Sequence, residues 1–290
     1  MIRKNLSNFT VINSLCFATV FILLIFIYHK FFESKISKFI YMKKILSQRK
    51  SEVDVNKFSI KKTMVLLAFG QSNSANYGED LFSAGHNVYN FFEGELYKAE
   101  DPLLGASGRK GSIWCLFADM VIERSSFENV IIVPAGEGSS KAEDWSYGGK
   151  YHSKLKKTLD DIHKLNLEIS HIVWHQGESD NFKGTDPEIY IQRFSEILKF
   201  LRSENIYAPV YMSIATFHPL AEKKINSGLQ EAQFKIIKNN NNVFEGINSD
   251  IYTDQIYRYD NIHFSGKAQY KLALDLFNKI ITENKKNKRL

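Results

Sequence analysis

Residues 63–76 read TMVLLAFGQSNSAN, and the fold is decided there. From Met64 to Phe69 the chain is apolar without a break, and it stops at Gly70. A short, continuously apolar run is the pattern of a strand buried on both faces, as in a parallel sheet. Gly70 lets the backbone turn, and Gln71-Ser72-Asn73 follows. In open α/β sheets, ligands bind just outside the carboxyl ends of the strands. Ser72 therefore stands where a nucleophile is useful, although a Gly followed by a Ser also serves ordinary turns.

Strands and helices alternate outward from this stretch. Residues 112–124 have helical spacing, with Trp114, Phe117, Ala118 and Val121 on one side. Residues 130–135 (VIIVPA) form a second strand that ends in Gly136-Glu137-Gly138-Ser139-Ser140, and 151–165 are helical. Residues 169–174 are a third strand running into His175-Gln176-Gly177-Glu178. Thr185-Asp186-Pro187-Glu188 carries a capping residue and a first-turn proline, which starts a helix reaching about residue 203. A strand at 209–215, a helix at 223–238 and a strand at 243–247 come next. Ser265 caps a last amphipathic helix to about residue 282. The expectation is a parallel sheet of about five strands between two layers of helix, within a domain spanning 63–284. Residues 76–107 have no clean period and read as an irregular excursion near the strand ends.

Three further strand-end groups accompany Ser72. Asp260-Asn261-Ile262-His263-Phe264 precedes the last helix. An Asp three residues before a His can accept from the imidazole Nδ1–H and leave Nε2 free to take a serine's proton. Taken alone, the pair reads rather as a helix-entry turn whose His caps or packs. Trp174-His175-Gln176-Gly177-Glu178-Ser179-Asp180 supplies a side-chain N–H donor at Gln176 and close backbone approach at Gly177. Gly138 offers a backbone N–H with no side chain in the way. Donors of this kind stabilise a forming oxyanion by about 3 kcal/mol each.

The four groups GQSN, Gly138 to Trp145, WHQGESD and DNIHF, in this order, resemble the SGNH-hydrolase superfamily. More narrowly they are similar to its sialate O-acetylesterase and acetylxylan-esterase branch, like carbohydrate esterase family 6. The resemblance spans residues 63–281. It implies a three-layer, flavodoxin-like α/β/α fold and cofactor-free hydrolysis of acetyl esters on sugars. By motif it makes Ser72 the nucleophile, His263 the base and Asp260 its orienter, with Ser72, Gly138 and Gln176 as oxyanion donors. Gln71, Asn73, Trp145 and Glu178 are substrate-binding or site-supporting. Tyr77, Trp145 and Tyr147 are candidate stacking platforms, with plain packing as the other reading. The sequence departs from the family pattern at Ser74, where Met commonly follows GQSN, and at Glu137, where a small residue is usual. A polysaccharide O-acetyltransferase would use the same triad. A silent glycan-binding module would have no need of all three residues.

Charge and composition bound the remainder. The 290 residues carry a net charge of +6, but residues 1–62 hold 12 Lys/Arg and 3 Asp/Glu, leaving 26 basic and 29 acidic residues beyond. The basicity belongs to the ends, including the tail 285–290, which argues against a nucleic-acid partner. Residues 9–28, FTVINSLCFATVFILLIFIY, carry no charge and are long enough to cross a bilayer as a helix. No small-residue cleavage site follows, so 1–31 reads as an uncleaved anchor whose helix contacts membrane lipid. Residues 31–46 interleave lysines with Phe32, Ile36, Phe39, Ile40 and Ile45. That segment is either a basic amphipathic helix on an anionic membrane or a solvated stalk within the linker 32–62. Literal charge counting keeps the domain cytoplasmic, whereas the expectation for the esterase domain is the cell envelope or exterior, so the side stays open on charge evidence. Cys16 and Cys115 make no disulfide framework. The histidines have no metal-ligand spacing, so no metal is expected.

Overall fold

The computed structural model describes residues 46–50, 53–85 and 87–283. The chain divides into two units, 1–50 and 51–290. In the first, residues 46–49 form a helical turn. The expected membrane span 9–28, residues 31–45 of the basic segment and the tail 285–290 lie outside the described residues. Among the described residues no helix is long and apolar enough to cross a membrane.

In the second unit β1 (Thr63–Gly70) is buried along its whole length, as its uninterrupted apolar run requires. Side chains alternate across a strand. Val65, Leu67 and Phe69 accordingly enter one apolar core, and Met64, Leu66 and Ala68 enter another on the opposite face. The first core is closed by a short helix α2 (Ala142–Trp145), α3 (His152–Lys164), α5 (Pro187–Ser203) and α6 (Ser227–Asn239). The second is closed by α1 (Trp114–Arg124) and α7 (Gly266–Phe277), which pack on each other. The result is the expected three layers.

The sheet has seven strands rather than about five, in the order β3-β2-β4-β1-β5-β6-β7. The remaining strands are β4 (Asn129–Pro134), β5 (His171–His175), β6 (Val210–Ile214) and β7 (Val243–Asn248). The two additional strands, β2 (Val88–Phe92) and β3 (Glu95–Lys98), lie inside the stretch expected to be irregular. They form an antiparallel hairpin, and β2 adds to β4 in parallel. Its turn, Glu93-Gly94, has φ of 49° and 80°. Positive φ at both central residues is what a two-residue hairpin turn matched to strand twist demands. Asn90 breaks the apolar run of β2 and hides the strand. Fully buried, its carboxamide accepts from Leu104 N–H at 2.6 Å and donates to Leu104 C=O at 3.0 Å. A polar side chain satisfied by a distant loop has no local sequence signature.

β1 lies at the centre, flanked by β4 and β5. Its carboxyl end is the point where successive connections leave to opposite sides of the sheet, the usual position of a binding crevice.

Candidate active site

Three strand ends are stitched together at this crevice. Gln71 N–H donates to His175 C=O at 3.0 Å, Glu137 N–H to Gly70 C=O at 2.9 Å, and Ser140 Oγ to Gly70 C=O at 3.1 Å. Gly70 has φ of 131°, and a Cβ there would stand 2.1 Å from His175 O, so only glycine fits. Beyond it, Ser72–Ser74 make one 3-10 turn. The Ser74 hydroxyl, fully buried, closes that turn on Gln71 C=O at 2.7 Å. Ser72 Oγ and Ser72 N–H have no hydrogen-bond partner among the described residues.

The Asp260–His263 pair is formed. His263 Nδ1 lies 2.7 Å from Asp260 Oδ2, while Asp260 Oδ1 accepts from Ile262 N–H at 3.0 Å and His263 N–H at 2.7 Å. Burial pushes the Asp260 carboxyl upward, but the His263 and Ile262 N–H groups and the imidazole outweigh it and hold it below its ordinary value. Nε2 of His263 carries no partner among the described residues. The ring stacks on Tyr77 with centroids 5.1 Å apart. Asn73 Nδ2 reaches Ile262 C=O at 3.5 Å, so the residues beside the serine and the histidine touch across the crevice.

The other expected residues fall into distinct places. Gln71 is buried, and its Oε1 accepts from Ser179 N–H at 2.8 Å, tying the end of β1 to α4 (Glu178–Lys183). Gln176 is fully buried and donates to Ser140 C=O at 3.1 Å and to Asp180 Oδ2 at 2.5 Å. Both hydrogens of its carboxamide are thus committed within the protein. Gly138 N–H donates to Ser107 Oγ at 2.8 Å. Of the three expected oxyanion donors, Ser72 N–H alone is uncommitted. Trp145 is fully buried, donates to Ser140 Oγ at 2.9 Å and packs edge-on against Phe69 and Trp174. It is a core residue, so packing is the reading that holds for it. Tyr77 stacks on His263, and Tyr147 is exposed. Among the described residues no cluster of His, Cys, Asp or Glu could hold a metal.

Glu178 lies fully buried beneath the serine turn. Its Oε1 accepts from Asn73 Nδ2 at 2.9 Å and sits 3.5 Å from His175 Nε2. Burial pushes this carboxyl up, yet the contacts from His175 and Asn73 prevail and lower it. A carboxyl depressed on folding adds stability above its unfolded pKa, about 4.3, and that stability is lost as pH falls through the lower folded value. The melting temperature should therefore drop on acidification below about pH 4.3, and Glu178→Gln should flatten that drop. Calorimetric melting of both proteins across the acid range checks this, and equal slopes would remove Glu178 from the account.

Arg258 carried no signal in the sequence. It is buried and sits 4.3 Å from the Phe264 ring centroid. Nε donates to Tyr252 C=O at 2.8 Å, Nη1 to Ile262 C=O at 2.7 Å and Nη2 to Ser249 C=O at 2.9 Å. Burial lowers its pKa to about 10, opposed by Glu178, Asp250 and Asp260, so it stays charged at neutral pH. One guanidinium thereby fixes three carbonyls of the loop that presents His263. Arg258→Met should cost about 3 kcal/mol, one lost bond at a time, and lower turnover if the placement of His263 matters to it. Urea unfolding beside steady-state kinetics measures both.

Residues 62–282 match the family model described as carbohydrate esterase, sialic acid-specific acetylesterase. The chain belongs to this family. The family is one of carbohydrate esterases, a class of carboxylic ester hydrolases. A relative named probable carbohydrate esterase from Arabidopsis thaliana is 25% identical over 168 residues, covering 55% of this chain and 59% of its own length. The chain thus spans about three fifths of that relative. Among solved structures, an Arabidopsis thaliana protein superposes with a TM-score of 0.62 at 22% identity, covering 75% of this chain and 96% of its own. NanS follows at 0.55 and 17%, covering 79% and 99%. A family 3 carbohydrate esterase from Clostridium thermocellum gives 0.51 and 11%, covering 77% and 96%. At these identities the superpositions establish the α/β fold alone.

Proposed function

We propose that this carbohydrate esterase hydrolyses O-acetyl esters on a sugar through Ser72, His263 and Asp260. The observation carrying the proposal is the 2.7 Å contact between His263 Nδ1 and Asp260, on a loop that meets the serine turn where Asn73 Nδ2 reaches Ile262 C=O at 3.5 Å, beside a strand-end serine whose hydroxyl has no partner among the described residues. A serine hydroxyl is a poor nucleophile until a base takes its proton during attack. Asp260 keeps the proton of His263 on Nδ1, and Nε2 receives the one from Ser72. Ser72 Oγ bonds to the acetyl carbon, and Ser72 N–H meets the oxyanion. A second donor is available if the Ser107 side chain changes its χ1 rotamer and carries Oγ off Gly138 N–H. His263 then protonates the departing sugar oxygen. Water, deprotonated by His263, attacks the acetyl-enzyme, and acetate leaves with Ser72 restored.

The uncharged run at 9–28 supports an N-terminal anchor that holds the domain at a membrane surface, with O-acetylated envelope or exterior carbohydrate as substrate. The test is acetate release from O-acetylated glycans by membranes from cells making the full chain. Release should sediment with the membranes, resist alkaline carbonate and enter solution with detergent. Absence of release sinks the esterase reading. Release that carbonate strips from the membranes sinks the anchor.

A further inference from the structure

The orienting carboxylate of an acid–base pair is ordinarily shielded, yet the Asp260 side chain is 38% exposed. Its open side faces a cleft of about 540 Å³ between the loop after β6 and the loop that precedes α7. One wall is apolar: Leu220, 73% exposed, stands beside Phe217 and Pro219. The other is polar, with Asp254, Gln255 and Asn261, and Lys224 completes the rim. The side chains of Lys224, Asp254, Gln255 and Asn261 make no hydrogen bond or ion pair among the described residues. One cation against Asp254 and Asp260 leaves the cleft net negative.

We infer that this cleft is a subsite for a second, uncharged sugar residue of the substrate, beyond the one bearing the acetyl group. The inference rests on the esterase reading above and extends it. An apolar wall takes the C–H face of a sugar ring, and unengaged carboxylate and amide groups opposite it bond ring hydroxyls. Net negative charge disfavours a carboxylated sugar at this position. Continuity with Asp260 gives occupancy a catalytic consequence. A ring seated there displaces water from the exposed edge of the carboxylate, and its attraction for the imidazolium that forms during attack grows as the local dielectric falls. Binding energy from this remote unit is thereby expressed in the transition state and raises kcat.

The experiment compares acetate release by the full chain from an O-acetylated neutral monosaccharide and from a neutral trisaccharide acetylated on its terminal unit. The wild type should favour the trisaccharide by about tenfold in kcat/KM, mainly through kcat, and the double variant Leu220→Ala with Asp254→Ala should bring the ratio within about twofold of unity. Equal efficiencies in the wild type, or a ratio the variant does not move, overturn the subsite. Failure of the wild type to release acetate from either sugar overturns the esterase reading, and the subsite with it.

Discussion

Replacing Ser72 by alanine should lower kcat for acetyl-ester hydrolysis by about 10⁶-fold, the scale seen when a nucleophile is removed from a serine triad. Stability should stay within about 0.5 kcal/mol of the wild type, as for a substitution that breaks no contact. The two expectations are linked by one feature. The Ser72 hydroxyl bonds to nothing among the described residues, so its removal leaves no donor or acceptor stranded. The turn that carries it is held by its neighbours: Ser74 Oγ on Gln71 C=O, Ala75 N–H on Ser72 C=O, and Gln71 Oε1 on Ser179 N–H. Steady-state acetate release beside thermal melting measures both quantities. A variant that melts normally and retains turnover would show that another group attacks the ester.

The chain announces the part of this site that depends on local pattern and conceals the part that depends on tertiary satisfaction. β1, β4 and β5 were legible because central parallel strands are apolar on both faces, and their ends fell where glycine interrupts the run. Asp260 and His263 were legible because three-residue spacing on one turn brings carboxylate to imidazole whatever surrounds them. The β2–β3 hairpin was not, because Asn90 is accommodated by Leu104, fourteen residues on. Arg258 was hidden for the same reason, its partners being carbonyls, which every residue carries. Gln176 looks like a donor in sequence, and only packing reveals that Ser140 and Asp180 already hold its hydrogens. Gly138 N–H likewise looks free in sequence, and only the structure shows it bonded to Ser107, which no motif marks.

Asp260→Asn should lower kcat by about 10⁴-fold, the order found when an orienting carboxylate becomes an amide. The carboxylate does two things at once: Oδ1 accepts the Ile262 and His263 backbone N–H groups, and Oδ2 accepts the imidazole proton. An amide has one acceptor oxygen. If it stays on the backbone N–H groups, the NH₂ faces Nδ1, which must then accept, and the ring proton moves to Nε2. That tautomer cannot take the proton from Ser72. If the amide turns over, the imidazole keeps its acceptor but the loop loses two bonds at its tightest point, beside Asn261 in its left-handed conformation at φ 69°. Either state is inactive, for different reasons. Because folding holds Asp260 below its ordinary pKa, the wild-type carboxylate is ionised at neutral pH and available to the imidazole, which is where the two proteins are compared. Full activity in Asp260→Asn would mean that His263 is oriented without its carboxylate. The stack on Tyr77 and the Arg258-anchored loop would then suffice, and the chemistry would belong to a serine–histidine pair.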